Sequence, residues 1–558
     1  MSITIADLDV FSSSQQLSAG PVTVSVQVEG RRMKLSVSSP GSGGSSYWDR
    51  CSVDRCVGEA VNGGMCLNHL SRQDIHTYVD QILASYPRGA LRVTGVSIDD
   101  TLKEALLSSQ LFRSMPVAPH IQVMAAVLET DLDLSEKNFG SHLGLHGVVF
   151  DGALRLTNCG FLQGLNLTHC YQRAGGAGID VSHARIAGDV RLDGSRSSQQ
   201  PLNFLHTRFD SSVSAQGLTS GLNLSNATIG HELAIRNSAP QFLIFPEGTV
   251  GGGLMLDNST FSFIDAKNLR ASGASQIGPV TAGNRFDLTG ARFEQRLSLR
   301  VTTDRLSLDD SHFYNGGVLR SEGAGQVSIR GLRTEGPLVI QGSFDGKTSL
   351  QSLENTDAGE LTLADLDLTG CVFEHAHRLD ALRLEATNQL ALYKGRRRIH
   401  DEELLKAKAD RHSALKIAAL YRALRQSYEI QGNEPGAADF YYGEMEMRRL
   451  GTDRTSAEGF LIRLYWVVSG YGLRASRPLG FLVALWVAAA ILFEKLGLQA
   501  HHGGWLRAAV DAAQSAYPST QTIPYATTVG TITSLFLRVA APALAALAII
   551  GLRSRVKR

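Results

Sequence analysis

An excess of charge of either sign is what this 558-residue chain lacks: 54 Lys and Arg stand against 53 Asp and Glu, a formal charge of +1 and a pI near 7.7. That balance excludes a general electrostatic attraction to nucleic acid. Cysteine is also scarce, with six in the chain. Cys51, Cys56 and Cys66 cluster near the front; Cys159, Cys170 and Cys371 are scattered, and the expectation for them is buried, reduced thiols rather than disulfides. A secretory leader is missing from Met1 to Val10, which carries Asp7 and Asp9 and no basic residue, so the bulk of the chain is expected in the cytosol. Nucleotide loops are missing too. Gly175-Gly176-x-Gly178 and Gly323-x-Gly325 have neither a following helix nor a paired acidic residue. His142, His146, His169, His183, His206 and His231 show no spacing that singles one out as a catalyst. No residue stands out as catalytic or cofactor-binding, and the reading is that this is not an enzyme.

What the sequence has in quantity is repetition. From Leu132 to Cys170 it reads Leu132-x-Leu134, Phe139, Leu143-x-Leu145, Phe150, Leu154-x-Leu156, Phe161, Leu165-x-Leu167 and Cys170, the apolar pair returning at a constant interval. No helical period reproduces this alternation, whereas a stacked β-coil does. Leu134, Phe139, Leu145, Phe150, Leu156, Phe161 and Leu167 share one phase and should all point inward. The unit returns as Asp180-Val181-x-x-Ala184-x-Ile186, Asn223-Leu224-x-x-Ala227-x-Ile229, Asp287-Leu288-x-x-Ala291-x-Phe293 and Asp367-Leu368-x-x-Cys371-x-Phe373. Written in fives, it has a large apolar centre, a small residue two places earlier and often Asp or Asn just before the centre.

In these residues the stretch from 130 to 375 resembles the pentapeptide-repeat proteins. The resemblance implies a mainly β fold, a right-handed quadrilateral β-helix with one face per repeat, Leu or Phe stacked inside, and Ala, Cys or Ser where only a small side chain fits. The 56 glycines then belong to tight corners. Members of that family that mimic DNA are strongly acidic, whereas residues 131–378 carry 26 acidic and 20 basic side chains. That reads against mimicry and against a nucleic-acid partner.

Before the repeat, Pro21 to Ser38 alternates as a β-hairpin, and Pro40 to Ser46 reads as a flexible glycine-serine linker. Next comes Cys51-x4-Cys56-x9-Cys66-x2-His69. Three thiols and an imidazole suit one tetrahedral zinc, and four protein ligands make the site structural rather than catalytic. The bland alternative is three unrelated thiols and a surface histidine. Gln73–Ser85 is expected to be helical, Leu91–Ile98 a strand, and Asp99-Asp100 the cap of a helix through Leu111, the strand and helix together covering the first open coil.

After Phe373 the period turns helical. Ala414–Ile430 and Gly436–Leu450 read as an antiparallel pair, and the text from Tyr421-Arg422-x-Leu424-Arg425 to Arg448-Arg449 looks like the helical connector of bacterial pentapeptide-repeat membrane proteins, some of them ion-channel-like. Leu479 to Leu498 and Ile532 to Leu552 are each long and apolar enough to span a bilayer. Arg463, Arg474 and Arg477 precede the first, and Arg553, Arg555, Lys557 and Arg558 follow the second, so both chain ends are expected in the cytosol. Thr527-Thr528-Val529-Gly530 copies the start of a potassium filter without its Tyr-Gly-Asp continuation, and a helix start is the favoured reading. Glu494 and Arg538, the charges inside the spans, fall at one depth. They are expected either to pair or to snorkel separately, with Lys495 a rival partner for Glu494.

The domains follow: 1–46 hairpin and linker, 47–71 zinc-knuckle-like module, 72–129 α/β cap, 130–379 β-helix, 380–470 helical connector, 471–558 two-helix transmembrane hairpin. The expected function is a non-catalytic scaffold or binding protein in the bacterial cytoplasmic membrane, two spans holding a large cytosolic solenoid. Its expected partners are membrane lipid, a protein on the β-helix or connector, and a second copy of the chain. The alternative is an ion-channel-like or pore-forming effector gated by the solenoid.

Overall fold

The computed structural model describes residues 2–4, 23–29, 32–39, 42–54, 56–85, 90–113, 120–173, 178–197, 200–323, 325–343, 347–385, 387–393, 395–408, 411–453, 455–497, 504–516 and 526–556. They divide into two units. The first holds residues 1–368 with 385–389, the second residues 369–384 with 390–558.

The first unit opens with an antiparallel sheet of Ser2–Thr4, Thr23–Glu29, Arg32–Ser39 and Ser42–Asp49. The expected hairpin is its centre, with Val24 opposite Val37, Val26 opposite Leu35 and Val28 opposite Met33. The glycine-serine stretch read as a linker is its last strand, Leu35 pairing with Ser46 and Val37 with Gly44. An edge strand closed by a backbone ladder needs little from its side chains, and composition alone does not reveal it. After the cysteine segment, helix α1 (Arg72–Ala84) is capped by Ser71, whose hydroxyl accepts from the Asp74 N–H.

The solenoid is a parallel β-coil of about 12 turns. In one coil the strands are Leu132–Asp133, Asn138–Phe139, Leu143–His146 and Val149–Phe150, and the next coil repeats all four as Leu154–Arg155, Gly160–Phe161, Leu165–Thr168 and Tyr171–Gln172. Phe139 pairs with Phe161 and Leu143 with Leu165, each skipping one copy of the sequence motif, so one coil is two of the units read from the sequence. Elsewhere the coil is longer, Leu165 pairing with Val190, or shorter, Val213 pairing with Leu233, the latter being four fives. In later coils the short strands fuse into longer ones such as Ser275–Asp287 and Leu297–Thr303.

All seven residues of the predicted inward phase, Leu134 to Phe161 and Leu167, are buried. Aromatic rings stack from coil to coil, Phe139 on Phe161 at 4.8 Å and Phe293 on Phe313 at 5.5 Å. The small position two places before the inward ring is equally shut in: Cys159, Ala184, Ala227, Ala291 and Cys371 are buried, and Thr207 and Ser311 fill it by donating to the carbonyls of Val181 and Leu308. Burial pushes the Cys159 thiol up to about 11 and the Cys170 thiol up to about 12, as expected of inert interior cysteines. One residue earlier the backbone turns through the left-handed region at Asn158, His183, His206, Asn226 and Asp310. His183 and His206 are thus corner residues one coil apart, stacked at 5.0 Å, which accounts for two of the histidines without chemistry.

The solenoid starts earlier than the repeat. Ala90–Thr94 and Ser97–Ile98 pair in parallel with His120–Met124 and Val127–Leu128, so this stretch is the first coil rather than part of a cap. Helices α2 (Asp100–Leu107) and α3 (Gln110–Arg113) interrupt that coil, α2 being capped by the Asp99 carboxylate accepting from the Leu102 N–H. At the other end the parallel ladder continues through Ser349, Asp367 and Gln389, past the expected limit at 379.

In the second unit residues 391–398 form an antiparallel pair, Ala391–Tyr393 with Arg396–Arg398, where the sequence predicts a helical start. The helices are α4 (His400–Lys408), α5 (Arg411–Ile430), α6 (Glu434–Gly451), α7 (Ala457–Ser469), α8 (Ser476–Leu492), α9 (Trp505–Ser515) and α10 (Thr528–Val556). The expected helix pair is α5 and α6, with Asn433 capping α6 through the Gly436 N–H. Two buried acids organise this region. Glu402 accepts two hydrogen bonds of 2.9 Å from Arg396 and one of 2.7 Å from the Tyr421 hydroxyl, and Glu444 is held by Arg425 at 2.9 Å and Arg448 at 2.6 Å. Residues 476–496 and 528–552 form helices long and apolar enough to cross a membrane.

Candidate metal centre

The cysteine segment folds as three tight turns laid against the first coil. Trp48 is buried and donates from its indole to the Val57 carbonyl at 2.9 Å. The Cys51 N–H donates to the Gly58 carbonyl at 2.8 Å, which brings the two ends of the first turn together. Gly63 and Gly64, at φ of 57° and 78°, reverse the chain before Cys66, and Leu67–His69 forms a single helical turn that points His69 back toward it. The Glu59 N–H donates to the Thr94 carbonyl at 3.0 Å, and Asn68 bonds both the N–H and the carbonyl of Ser97. The rigid β-coil thereby holds the turns in place.

The four predicted ligands converge. Cys51 Sγ lies 3.5 Å and Cys66 Sγ 3.3 Å from His69 Nδ1, and the sulfurs of Cys56 and Cys66 are 3.5 Å apart. All four candidate ligand atoms lie within 4.8 Å of one another, so one centre is within about 3 Å of each, close to the reach of thiolate and imidazole ligands. Two backbone donors supplement them: the Gly58 N–H points at Cys56 Sγ (3.4 Å) and the Cys66 N–H at Cys51 Sγ (3.3 Å). The Cys66 hydrogen bond lowers the Cys56 thiol to about 5 with help from the Gly58 N–H, and the same contact raises Cys66. The cluster can hold a metal ion, and among the described residues it is the one group of His, Cys, Asp and Glu that can.

The spacing of the ligands was visible in the sequence; their support was not. A Cβ on Gly58 would lie 2.7 Å from the Cys66 Cβ, and one on Gly95, at φ of 66°, would lie 2.7 Å from the Val57 carbonyl oxygen. Trp48 closes the same turn. Nothing in their local sequence marks these as second partners of a ligand set.

The other candidates are less concentrated. Burial lowers His142 and His146, and takes His169 to about 4, which keeps these imidazoles neutral. The first glycine cluster lies almost entirely outside the described residues; in the second, a Cβ on Gly325 would lie 2.2 Å from the Thr303 carbonyl oxygen, so that glycine serves coil packing. Glu494 is exposed on the π-helical turn Phe493–Gly497, and Arg538 is half-buried on α10. Their chain neighbours Phe493 and Leu537 share one apolar cluster with Ala489, Ala490, Ala508, Ala509 and Ala512, which sets the two charges at one level. Thr527 Oγ1 accepts from the Gly530 N–H at 3.2 Å and donates to the Leu496 carbonyl at 2.6 Å, so Thr527 to Gly530 starts a helix, as favoured. Helix α9 was not expected; Trp486 of α8 donates to its Ala509 carbonyl at 3.0 Å.

No family model matches the chain, and neither a curated protein nor a solved structure matches it.

Proposed function

We propose that this protein is a membrane-anchored, non-catalytic scaffold: a pentapeptide-repeat solenoid in the cytosol of a bacterium, tied to the cytoplasmic membrane by α8 and α10. The observation that carries the reading is the surface of those two helices. In their most apolar 18-residue windows only 17% and 22% of the residues are buried, whereas the core helix of a soluble protein would bury most of such a stretch. The solenoid supplies a long wall of coils for a protein partner. Cys51, Cys56, Cys66 and His69 would hold one zinc, whose four protein ligands leave no position for a reacting water, so its part is to fold the module. Glu494 and Arg538 would meet as an ion pair between the spans. The test is partition of the full chain: it should enter the membrane fraction and resist high salt, and release by salt alone would refute the anchor.

An ion-channel-like protein is the second reading, and α9 favours it. Trp486 lies ten residues into α8, about 15 Å along the helix, so a helix hydrogen-bonded to it sits at hydrocarbon depth rather than in a surface loop. Short helices at that depth need protein or water around them, which an oligomer would provide. Conductance across planar bilayers separates the two readings. Steps of unit conductance from pure protein support a pore, and a flat trace from pure oligomer at all tested potentials removes it.

A further inference from the structure

Helix α7 carries its apolar residues on the side that the rest of the unit leaves open. Phe460, Leu461, Leu464 and Val467 fall on one face at helical spacing and are 64, 61, 48 and 43% exposed. The opposite face is packed: Gly459 and Ser469 are buried, and Trp466 lies between the guanidinium groups of Arg449 and Arg477, at 4.8 and 5.1 Å. At 13 residues, roughly 20 Å, the helix is too short to cross a bilayer.

Its level relative to α8 and α10 is fixed by a tight turn. Gly470, Tyr471 and Gly472 all have positive φ, at 54°, 62° and 76°, and the Gly472 N–H donates to Ser469 Oγ at 3.1 Å. Arg477, in the first turn of α8, donates to the Trp466 carbonyl at 2.6 Å. Gly551, near the end of α10, approaches so closely that a Cβ there would lie 2.9 Å from the Ala475 nitrogen. The open face of α7 therefore stands level with the start of α8 and the end of α10.

We propose that α7 lies along the cytosolic headgroup layer of the membrane, with its open apolar face among the acyl chains of anionic lipids. This rests on reading α8 and α10 as spans. Exposed Leu479 and Phe481 of α8 and Ile549 and Leu552 of α10 continue the apolar surface at the same end, where an amphipathic helix buries one face in the interface. Arg463 borders it on α7 and the Arg474 side chain lies against Gly470 at the end of the helix, and basic residues at this level attract anionic headgroups. A second copy docked face to face would instead bring the same arginines together. The helix would act as a collar, holding the connector at a set height on the bilayer.

The test uses the full chain in vesicles of phosphatidylcholine and phosphatidylglycerol, with a photoreactive residue placed by Leu464→benzoylphenylalanine, by Val483→benzoylphenylalanine on α8, or by Ile430→benzoylphenylalanine at the exposed end of α5. All three positions are exposed, so the fold tolerates the substitutions. The expected result is lipid adducts at position 464 comparable with those at 483, and none at 430. Chain-to-chain adducts at 464, or a position 464 that behaves like 430, would overturn the collar while leaving the spans intact. Absence of lipid adducts at 483 would remove the spans and the collar together.

Discussion

The solenoid and the helical unit bury their polar groups in opposite ways. Inside the coils most side chains are apolar or small, the backbone is satisfied by the coil before and the coil after, and most charges lie outside in ladders such as Arg185 and Arg208 on Asp210. Inside the helical unit Glu402 and Glu444 are buried carboxylates, each held by arginine. The first arrangement is local, since a coil contacts its neighbours alone, and it tolerates coils of unequal length. The second is a set of specific partners whose loss leaves a charge stranded in the interior. A wall can therefore vary along its length, whereas the helical unit has one arrangement.

The contrast is sharpest where the chain lacks both devices. The cysteine module has little apolar core, so a metal would supply most of its stability, and Cys66→Ser should have the largest effect of any change discussed. Purified wild-type chain should carry one zinc by elemental analysis and Cys66→Ser none, with the segment around residues 51–69 then losing its protection from hydrogen exchange. An unaltered zinc content in the variant would refute the site.

Phe150→Ala comes next, expected to cost roughly 3 to 5 kcal/mol by the loss of a buried ring and the cavity it leaves. Because coils are nearest-neighbour structures, protection should fall in the adjacent coils and stay unchanged in distant ones. Uniform loss of protection over the whole solenoid would contradict the local account. Glu402→Gln, which strands Arg396, should cost about 3 kcal/mol, and the loss should spread over α4, α5 and α6 together. Smallest is the coupling of Glu494 with Arg538, about 1 kcal/mol by a double-mutant cycle of Gln substitutions on hairpin stability. Strictly additive effects would show that the charges act separately.

Much of this contrast was legible in the sequence where one residue type decides one geometry. The regular spacing from Leu132 to Leu167 determined which Leu and Phe point inward, and the Cys and His spacing brought four ligands to one point. Elements whose structure depends on a distant partner were not legible. Ser42–Asp49 is a strand because Arg32–Ser39 offers it a ladder, not because glycine and serine prefer one. Ala90–Ile98 is a coil because His120–Leu128 pairs with it across the inserted helices α2 and α3, which hide the period. Helix α9 rests on alanines that pack against Trp486 and Phe493, and alanine in a loop-length segment carries no such signal by itself. Trp48, Gly58 and Gly95 support the metal cluster through contacts that only the folded chain creates.

The central claim is that α8 and α10 cross the membrane and leave the chain before them on the cytosolic side. Protease protection of the full chain in sealed, inside-out membrane vesicles tests it most directly. The account predicts that everything before about residue 470 is digested and that one fragment containing α8, α9 and α10 survives until detergent is added. Complete digestion without detergent, or protection of the solenoid, would contradict it.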